Sequence, residues 1–434
     1  MMPQAKIGWK TAAGLVIANM IGTGVFTSLG FQLIDLKSSW SIVLLWFIGG
    51  VMALIGAFTY AELGTHFKNS GGDYIFLSKI FHPLLGYLYA WTSLMVGFSA
   101  PIAIAAIAMT DYLNPFMGKA NGDWFGLGII LLVSIMHSFN VRQSGWFQDV
   151  VTSLKLLFVF SLIVIGFWYA PESANAIQFD ASWSSEILLP GFAVSLIYVS
   201  YAYTGWNAAA YIVEEIDQPR SSLPKALIGG TLLVMIVYVL LQIVFLRHAS
   251  FDQLMGKVEV ANIAFSNIFP VNGIKWVSFF IALQLVGTIS GYVWIGPRVT
   301  HAMAKDYKLW RPLAKTNHSG IPVRALWLNT GISILLTMTG TFEQVLLYAG
   351  FVLQLMGTLT VVSLLFVKRD KSTFQSPLKP FLQIIYVLFS LWVLIYMLID
   401  RPFESLAGLG LIGLGVVLFW FDTFQPLKKA QDLN

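Results

Sequence analysis

Apolar residues run through this chain in long blocks, not in the one-sided stripes of a water-facing helix or the alternation of a half-buried strand. A helix needs ~20 such residues to cross a bilayer, and the pattern predicts twelve crossings. They fall at 7–34, 40–65, 84–112, 125–141, 146–170, 188–215, 224–247, 273–302, 322–340, 343–367, 381–400 and 404–424. Gly and Pro punctuate the joints, at Ser70-Gly71-Gly72, Gln218-Pro219, Gly320-Ile321-Pro322 and Pro377. Residues 248–272 read as a longer outer loop with an amphipathic helix of its own.

The first and sixth blocks are interrupted within, at Gly22-Thr23-Gly24 and at Thr204-Gly205. A broken helix frees backbone groups that hydrocarbon cannot satisfy. Such breaks persist where the backbone lines a cavity, and a pair at matching places in two halves points to a secondary transporter's substrate site. A single glycine that merely lets helices pack closely is the plainer alternative; the pairing favours the site. The first ten spans divide into two sets of five, each opening with its broken span, and five is odd, so the second unit enters from the opposite side. The expectation is an all-α integral membrane protein built as a five-plus-five inverted repeat. Residues 1–170 hold spans one to five, 188–368 hold spans six to ten, and 380–424 add two C-terminal spans.

Composition sharpens the class. The 434 residues are 57% hydrophobic and 11% charged, against about 25% charged in soluble domains, and mean hydropathy is +0.74. No cysteine is present, which excludes thiol catalysis, structural disulfides and a disulfide-linked partner subunit. The net charge of +5 is no nucleic-acid footprint, because the basic residues sit in short loops rather than on one face. No small-residue cleavage site follows Lys6 and Lys10, so no removable signal peptide is expected. Of 26 Lys and Arg, Lys155 and Arg298 fall within spans. Only Lys37, Lys119, Arg247, Lys257, Lys275 and Arg401 lie on outer segments, and the rest lie on inner ones. That bias sets both termini in the cytoplasm, with the chain multi-pass in the cell's inner (plasma) membrane.

The motifs at the breaks carry a resemblance. Ala18-Asn19-Met20-Ile21-Gly22-Thr23-Gly24-Val25-Phe26 resembles the first-helix signature of the amino acid–polyamine–organocation (APC) transporter superfamily. Tyr60-Ala61-Glu62-Leu63-Gly64 with Ser70-Gly71-Gly72-Asp73-Tyr74 resembles its second-span motif. Tyr201-Ala202-Tyr203-Thr204-Gly205-Trp206-Asn207, running on to Glu214-Glu215-Ile216 and Pro219-Arg220, resembles its sixth-span motif. Gly205-Trp206-Asn207 with Gln148, Thr152 and Lys155 is most similar to the L-type amino acid transporter branch. The resemblance implies the LeuT/APC-type fold and transport of amino acids.

The physics of a broken helix suits such a cargo. A helix ending before Gly22 offers carbonyls to an ammonium, and one restarting after Thr23 offers amides and a positive dipole end to a carboxylate. The resemblance assigns the amides of Thr23, Gly24 and Val25, with the Thr23 hydroxyl, to the α-carboxylate. The carbonyls of Met20, Tyr201 and Thr204 take the α-ammonium, and Ile21, Gly22 and Ala202 complete the substrate site. Thr204 stands where the L-type branch usually has glycine. Tyr201, where phenylalanine is more usual, matches the aromatic gate. Trp206 and Asn207 brace the restarted helix, with Asn207, Tyr211 and Glu214 on one face.

Lys155 is a charge inside a span, which is costly and implies a cavity or a partner. Gln148 and Thr152 share its face. Sodium-coupled relatives hold a cation between the first and eighth helices. The resemblance places the Lys155 ammonium there, against the carbonyls of Ala18 and Ile21 and a hydroxyl such as Ser290. Snorkelling to the inner surface is the alternative. Glu62 is expected to pair structurally, and His137 to be a satisfied interhelical histidine. Gln284, Thr288 and Tyr292 form a stripe that lines the cavity or bonds between helices. Arg298 with Asp306, and Glu214-Glu215 with inner Lys or Arg, are candidates for an inner gate of salt bridges.

No metal-ligand spacing joins the six histidines, and no Gly-Lys-Ser/Thr phosphate loop appears. No enzyme activity, metal or cofactor is expected. The sequence therefore predicts a sodium-independent carrier of neutral L-amino acids, working by exchange and alternating access in the lipid bilayer. A proton-coupled symporter of the same fold is the alternative, and a channel is the competing class.

Overall fold

Each of the twelve apolar blocks is helical in the computed structural model, which describes residues 6–139, 141–170 and 182–422. The first block is two helices, α1 (Trp9–Met20) and α2 (Gly24–Asp35). After α3 (Ser39–Phe67) comes the short α4 (Asp73–Ile80). Next, α5 (Pro83–Thr92) runs through a π-helical turn at Ser93–Gly97 into α6 (Ser99–Met117). The fourth and fifth blocks are α7 (Lys119–His137) and α8 (Val141–Trp168). A single turn, α9 (Trp183–Glu186), precedes α10 (Pro190–Ala202). After the second break the chain resumes as a 3-10 segment, Ala208–Glu215, rather than an α-helix.

The second half continues with α11 (Pro219–His248). Two short helices, α12 (Phe251–Leu254) and α13 (Val260–Ser266), fill the segment predicted as a long outer loop. The longest helix, α14 (Val271–Asp306), is followed by α15 (Val323–Thr339) and α16 (Phe342–Ser363). Last come α17 (Phe381–Asp400) and α18 (Pro402–Phe421).

Among the described residues, eight helices are long and apolar enough to cross a membrane. Shorter apolar helices at Gly122–His137, Thr152–Trp168 and Pro190–Ala202 accompany them. This is an all-helical membrane protein.

Packing sorts the helices into two groups. The breaks belong to a bundle in which α11 packs along both α1 and α3, and α10 packs on α2 and α3. A second group joins α14 and α15 to α6 and α7. Helices α17 and α18 lie at the periphery, with 33% and 17% of their apolar windows buried, so their outer faces remain for lipid.

One end of the bundle is stitched by backbone. Ile7 N–H donates to Glu215 O (2.9 Å) and Asp217 N–H donates to Ile7 O (2.8 Å), forming a small parallel bridge between Ile7 and Ile216. Gly71 N–H donates to Tyr211 O (3.2 Å), which ties the α3–α4 joint to the same 3-10 segment. Nearby, Glu62 pairs with Lys379 (3.0 Å) and accepts from Ser376 N–H (2.8 Å), fastening α3 to the approach to α17.

Candidate functional site

The first break is a short extended step. Ile21 leaves the helix with φ −70° and ψ 95°, and α2 begins at Gly24 with Phe26 N–H bonded to Thr23 O (3.0 Å). The Thr27 hydroxyl donates to the same oxygen (2.8 Å). The amides before Phe26 thus open a helix N-terminus, where intrahelical acceptors are lacking.

At the second break, α10 ends and the Thr204 amide (3.0 Å) and hydroxyl (2.7 Å) both donate to Tyr201 O. Gly205 follows with φ +101°, a conformation open to glycine and strained for other residues. A Cβ there would also stand 2.7 Å from the Asn19 carbonyl carbon, so the two breaks touch through backbone. Gly24 has the same role from the other side. A Cβ on it would come within 2.5 Å of Ala202 Cα and Cβ. The glycine is therefore required for α2 to pack on α10, whatever room a cargo needs.

Two cavities adjoin at the breaks. One of about 10 Å³ is bounded by Met20, Gly22, Thr23, Gly24 and Ala202, which is room for about one water. The other, of about 100 Å³, reaches from Phe98 and Thr204 to Tyr60, Tyr89 and Tyr211. Asn19, Tyr201, Thr204 and Tyr292 line both and form the partition. The Tyr201 hydroxyl meets the Thr23 hydroxyl across the smaller cavity. Tyr292 reaches Thr204 Oγ1 (3.3 Å) and Asn19 O (3.5 Å) from α14.

Carbonyls that the sequence reading leaves free are already partnered. The Tyr238 hydroxyl, on α11, donates towards Met20 O and Ala202 O. The physical reason is the cost of bare backbone in an apolar interior. Each carbonyl keeps a second lone pair, so Met20 can still accept from another donor. Tyr238 was not legible as a site residue, because nothing local distinguishes it from a packing tyrosine.

Lys155 is fully buried. Its three N–H donors reach Ala18 O (3.2 Å), Ile21 O (2.5 Å) and Thr288 Oγ1 (3.1 Å). It joins α8, the carbonyl end of α1 and α14, so snorkelling to a surface is excluded. The hydroxyl it meets is Thr288, not Ser290, which instead bonds His137 Nε2 (2.7 Å). Two residues apart on a helix point to nearly opposite sides, so only one of the pair can face α8. The side chain of Gln148 lies outside the described residues.

The proposed ion-pair gate is not formed among the described residues. Arg298 lies over the Trp294 ring, 5.0 Å from its centroid. Asp306 accepts from the Tyr74 hydroxyl instead. Glu214 and Glu215 appear in none of the salt bridges. At Asp306 the Tyr74 hydroxyl takes the place of the expected guanidinium, while Glu215 acts on Arg298 by charge without a direct pair.

The same substitution governs Asp73, fully buried at the start of α4. Tyr60 donates to one carboxylate oxygen, and Tyr211 to the other at 3.0 Å. Tyr89 joins through Tyr211 and the carboxylate itself. Burial pushes the Asp73 carboxyl up to about 6, while hydrogen bonds from Thr360, Tyr89 and Tyr211 pull it down. With Thr360 from α16 this cluster draws on five elements, and the second-span motif alone did not reveal it.

Residues 7–419 match the amino acid permease family. The chain belongs to that family. The permease is similar to the large neutral amino acids transporter small subunit 2 of Oryctolagus cuniculus, at 28% identity over 442 residues, covering 98% of this chain and 81% of the relative. It is 26% identical to the b(0,+)-type amino acid transporter 1 of Mus musculus over 445 residues, covering 99% and 90%. Against the Asc-type amino acid transporter 1 of Mus musculus it is 26% identical over 446 residues, covering 98% and 82%. The permease is thus an amino acid transporter of the APC superfamily, and no enzyme.

Proposed function

We propose that this permease is a sodium-independent carrier that exchanges neutral L-amino acids by alternating access. The carrying observation is Lys155. Its ammonium bridges α1 and α14 with all three donors matched, where a sodium-coupled carrier of this fold would need a bound cation. A built-in cation supports transport without sodium. The family supplies the cargo class, and the name of one relative, a large neutral amino acids transporter, favours a neutral one.

In this reading the amides of Thr23, Gly24 and Val25 hold the α-carboxylate at the positive end of α2. The carbonyls of Met20, Tyr201 and Thr204 receive the α-ammonium, and Ile21, Gly22 and Ala202 shape the cradle. Tyr201 is the gate: its hydroxyl rests on Thr23 and must swing aside for cargo to enter. Ten of twelve crossings form the five-plus-five inverted repeat, two more follow at the C-terminal end, and both termini are cytoplasmic.

Proton-coupled uptake is the second reading. It is favoured by one observation, that Lys155 is held by neutral acceptors alone. Uptake of a labelled amino-acid panel into proteoliposomes separates the readings. Exchange gives trans-stimulation by internal amino acid and equal rates in sodium and choline. Proton coupling gives accumulation when the outside is acidified. Sodium-driven accumulation would overturn both.

A further inference from the structure

A third cavity, of about 30 Å³, lies between the end of α7, the middle of α14 and the start of α15. His137, Trp294 and Arg298 are the polar side chains of its lining, and the remaining side chains there are apolar. Residues 320–322 close one wall. The loop that carries them is tied to the end of α7, because Asn317 Nδ2 donates to Ser138 O (2.8 Å) and Ser319 Oγ to Phe139 O (3.1 Å).

Each of the three polar side chains has bonding capacity that no described residue uses. Trp294 Nε1 is buried without a partner, and so is Nδ1 of His137, a residue 2% exposed. The Ser290 hydroxyl has His137 Nε2 as its one described partner (2.7 Å). Its proton therefore goes to Nε2, and the neutral imidazole carries its own proton on Nδ1. Arg298 enters none of the described salt bridges. Its guanidinium lies over the Trp294 ring, and Glu215 acts on it by charge alone.

Three sets of donors and one positive charge thus line one small space, and a charge within a membrane span calls for a partner. A water fits the volume, but it accepts two hydrogen bonds at most and leaves the charge unbalanced. It must also place two protons of its own. Pro297, which has no N–H, frees one acceptor for them at Val293 O. A spherical anion accepts from all three side chains at once and neutralises the guanidinium.

We propose that this cavity binds a small inorganic anion of halide size, with chloride as the cellular one, held by Trp294 Nε1, His137 Nδ1 and the Arg298 guanidinium. The ion sits outside the cargo site and fastens α7 to α14, so it acts on the stability of that group of helices.

The test is thermal unfolding of the full-length protein at fixed ionic strength, with sodium chloride exchanged stepwise for sodium gluconate, whose anion is too large for about 30 Å³. The melting temperature should rise along a saturating curve, as it does when a ligand binds the folded state alone, and bromide should replace chloride. Trp294→Phe keeps a ring under Arg298 and loses one donor, so half-saturation should need several-fold more chloride. Arg298→Met should abolish the dependence; if that variant does not fold, the Trp294→Phe titration decides alone. Crystals soaked in bromide should show an anomalous peak within hydrogen-bond reach of Trp294 Nε1. Three results would overturn the inference: identical melting curves in chloride and gluconate, a rise that Trp294→Phe leaves unchanged, or a water without bromide at that place. None of them touches the carrier reading.

Discussion

Replacing Lys155 by methionine removes the ammonium and keeps most of the side chain's volume, so packing around α8 is preserved. Three acceptors lose their donor, but not equally. Thr288 can turn back to Gln284 O, already 3.4 Å away. Among the described backbone hydrogen bonds Ala18 O and Ile21 O have no other donor, and the Gly22 amide that would reach Ala18 O in a continuing helix points to Tyr238. Two unsatisfied buried carbonyls cost ~1–3 kcal/mol each. Against that, an ammonium no longer has to be buried, which offsets several kcal/mol.

The two effects partly cancel in overall stability. They do not cancel in the link between α1 and α14, which disappears outright. If ~2 kcal/mol of that link distinguishes the states of the cycle, exchange should slow about thirtyfold, at 1.4 kcal/mol per factor of ten. The assay is counterflow of labelled amino acid in proteoliposomes, beside thermal unfolding followed by tryptophan fluorescence. Exchange by Lys155→Met within threefold of the unchanged protein would refute the reasoning.

Further expectations follow from single contacts. Gly24→Ala should lower thermal stability sharply through its collision with Ala202, whereas Gly22→Ala, whose Cβ comes no nearer than 3.2 Å to the Thr288 methyl, should remain folded; melting curves of the pair decide it. Lys379→Met strands the buried Glu62 carboxylate and should cost ~3–5 kcal/mol, more than a Glu62/Lys379 double replacement by apolar residues, as a denaturation series would show. Tyr238→Phe uncovers Met20 O and Ala202 O, so unfolding should come ~1–3 kcal/mol sooner. Asp73 binds a proton more readily folded, at about 6, than at its ordinary 3.8. Its contribution therefore favours the folded state below about 4 and is lost as pH rises through 6, by up to about 3 kcal/mol. Melting temperatures across that window should fall with rising pH less steeply in Asp73→Asn.

How far the sequence could be read follows from which features are local. Breaks at Gly22 and Gly205 were legible because glycine interrupts an apolar run, a signal carried by neighbouring residues. Lys155 was legible because a charge stands out in hydrocarbon, and its carbonyl partners followed from where α1 must stop. Its hydroxyl partner was not: choosing Thr288 over Ser290 needs the rotational phase of a 36-residue helix, and no sequence spacing fixes that. The Asp73 cluster was hidden for a different reason. Tyr60, Tyr89 and Tyr211 come from separate elements, and each alone looks like one more ring among 16 tyrosines. The expected Arg298–Asp306 pair is not formed because the Tyr74 hydroxyl supplies the hydrogen bond that a charge was assumed to make.

The bridge between Ile7 and Ile216 has a mechanical consequence. It fastens the strand leading into the first broken helix to the residues leaving the second, 2.8 and 2.9 Å of backbone contact on either side of Ile7. Two half-helices pinned at one end and abutting at their breaks, where Gly205 meets Asn19, behave as a single lever with a short arm. Torque on either is delivered to both. A push on Ile7 and Gly8 is then felt at the two breaks without passing through any side chain.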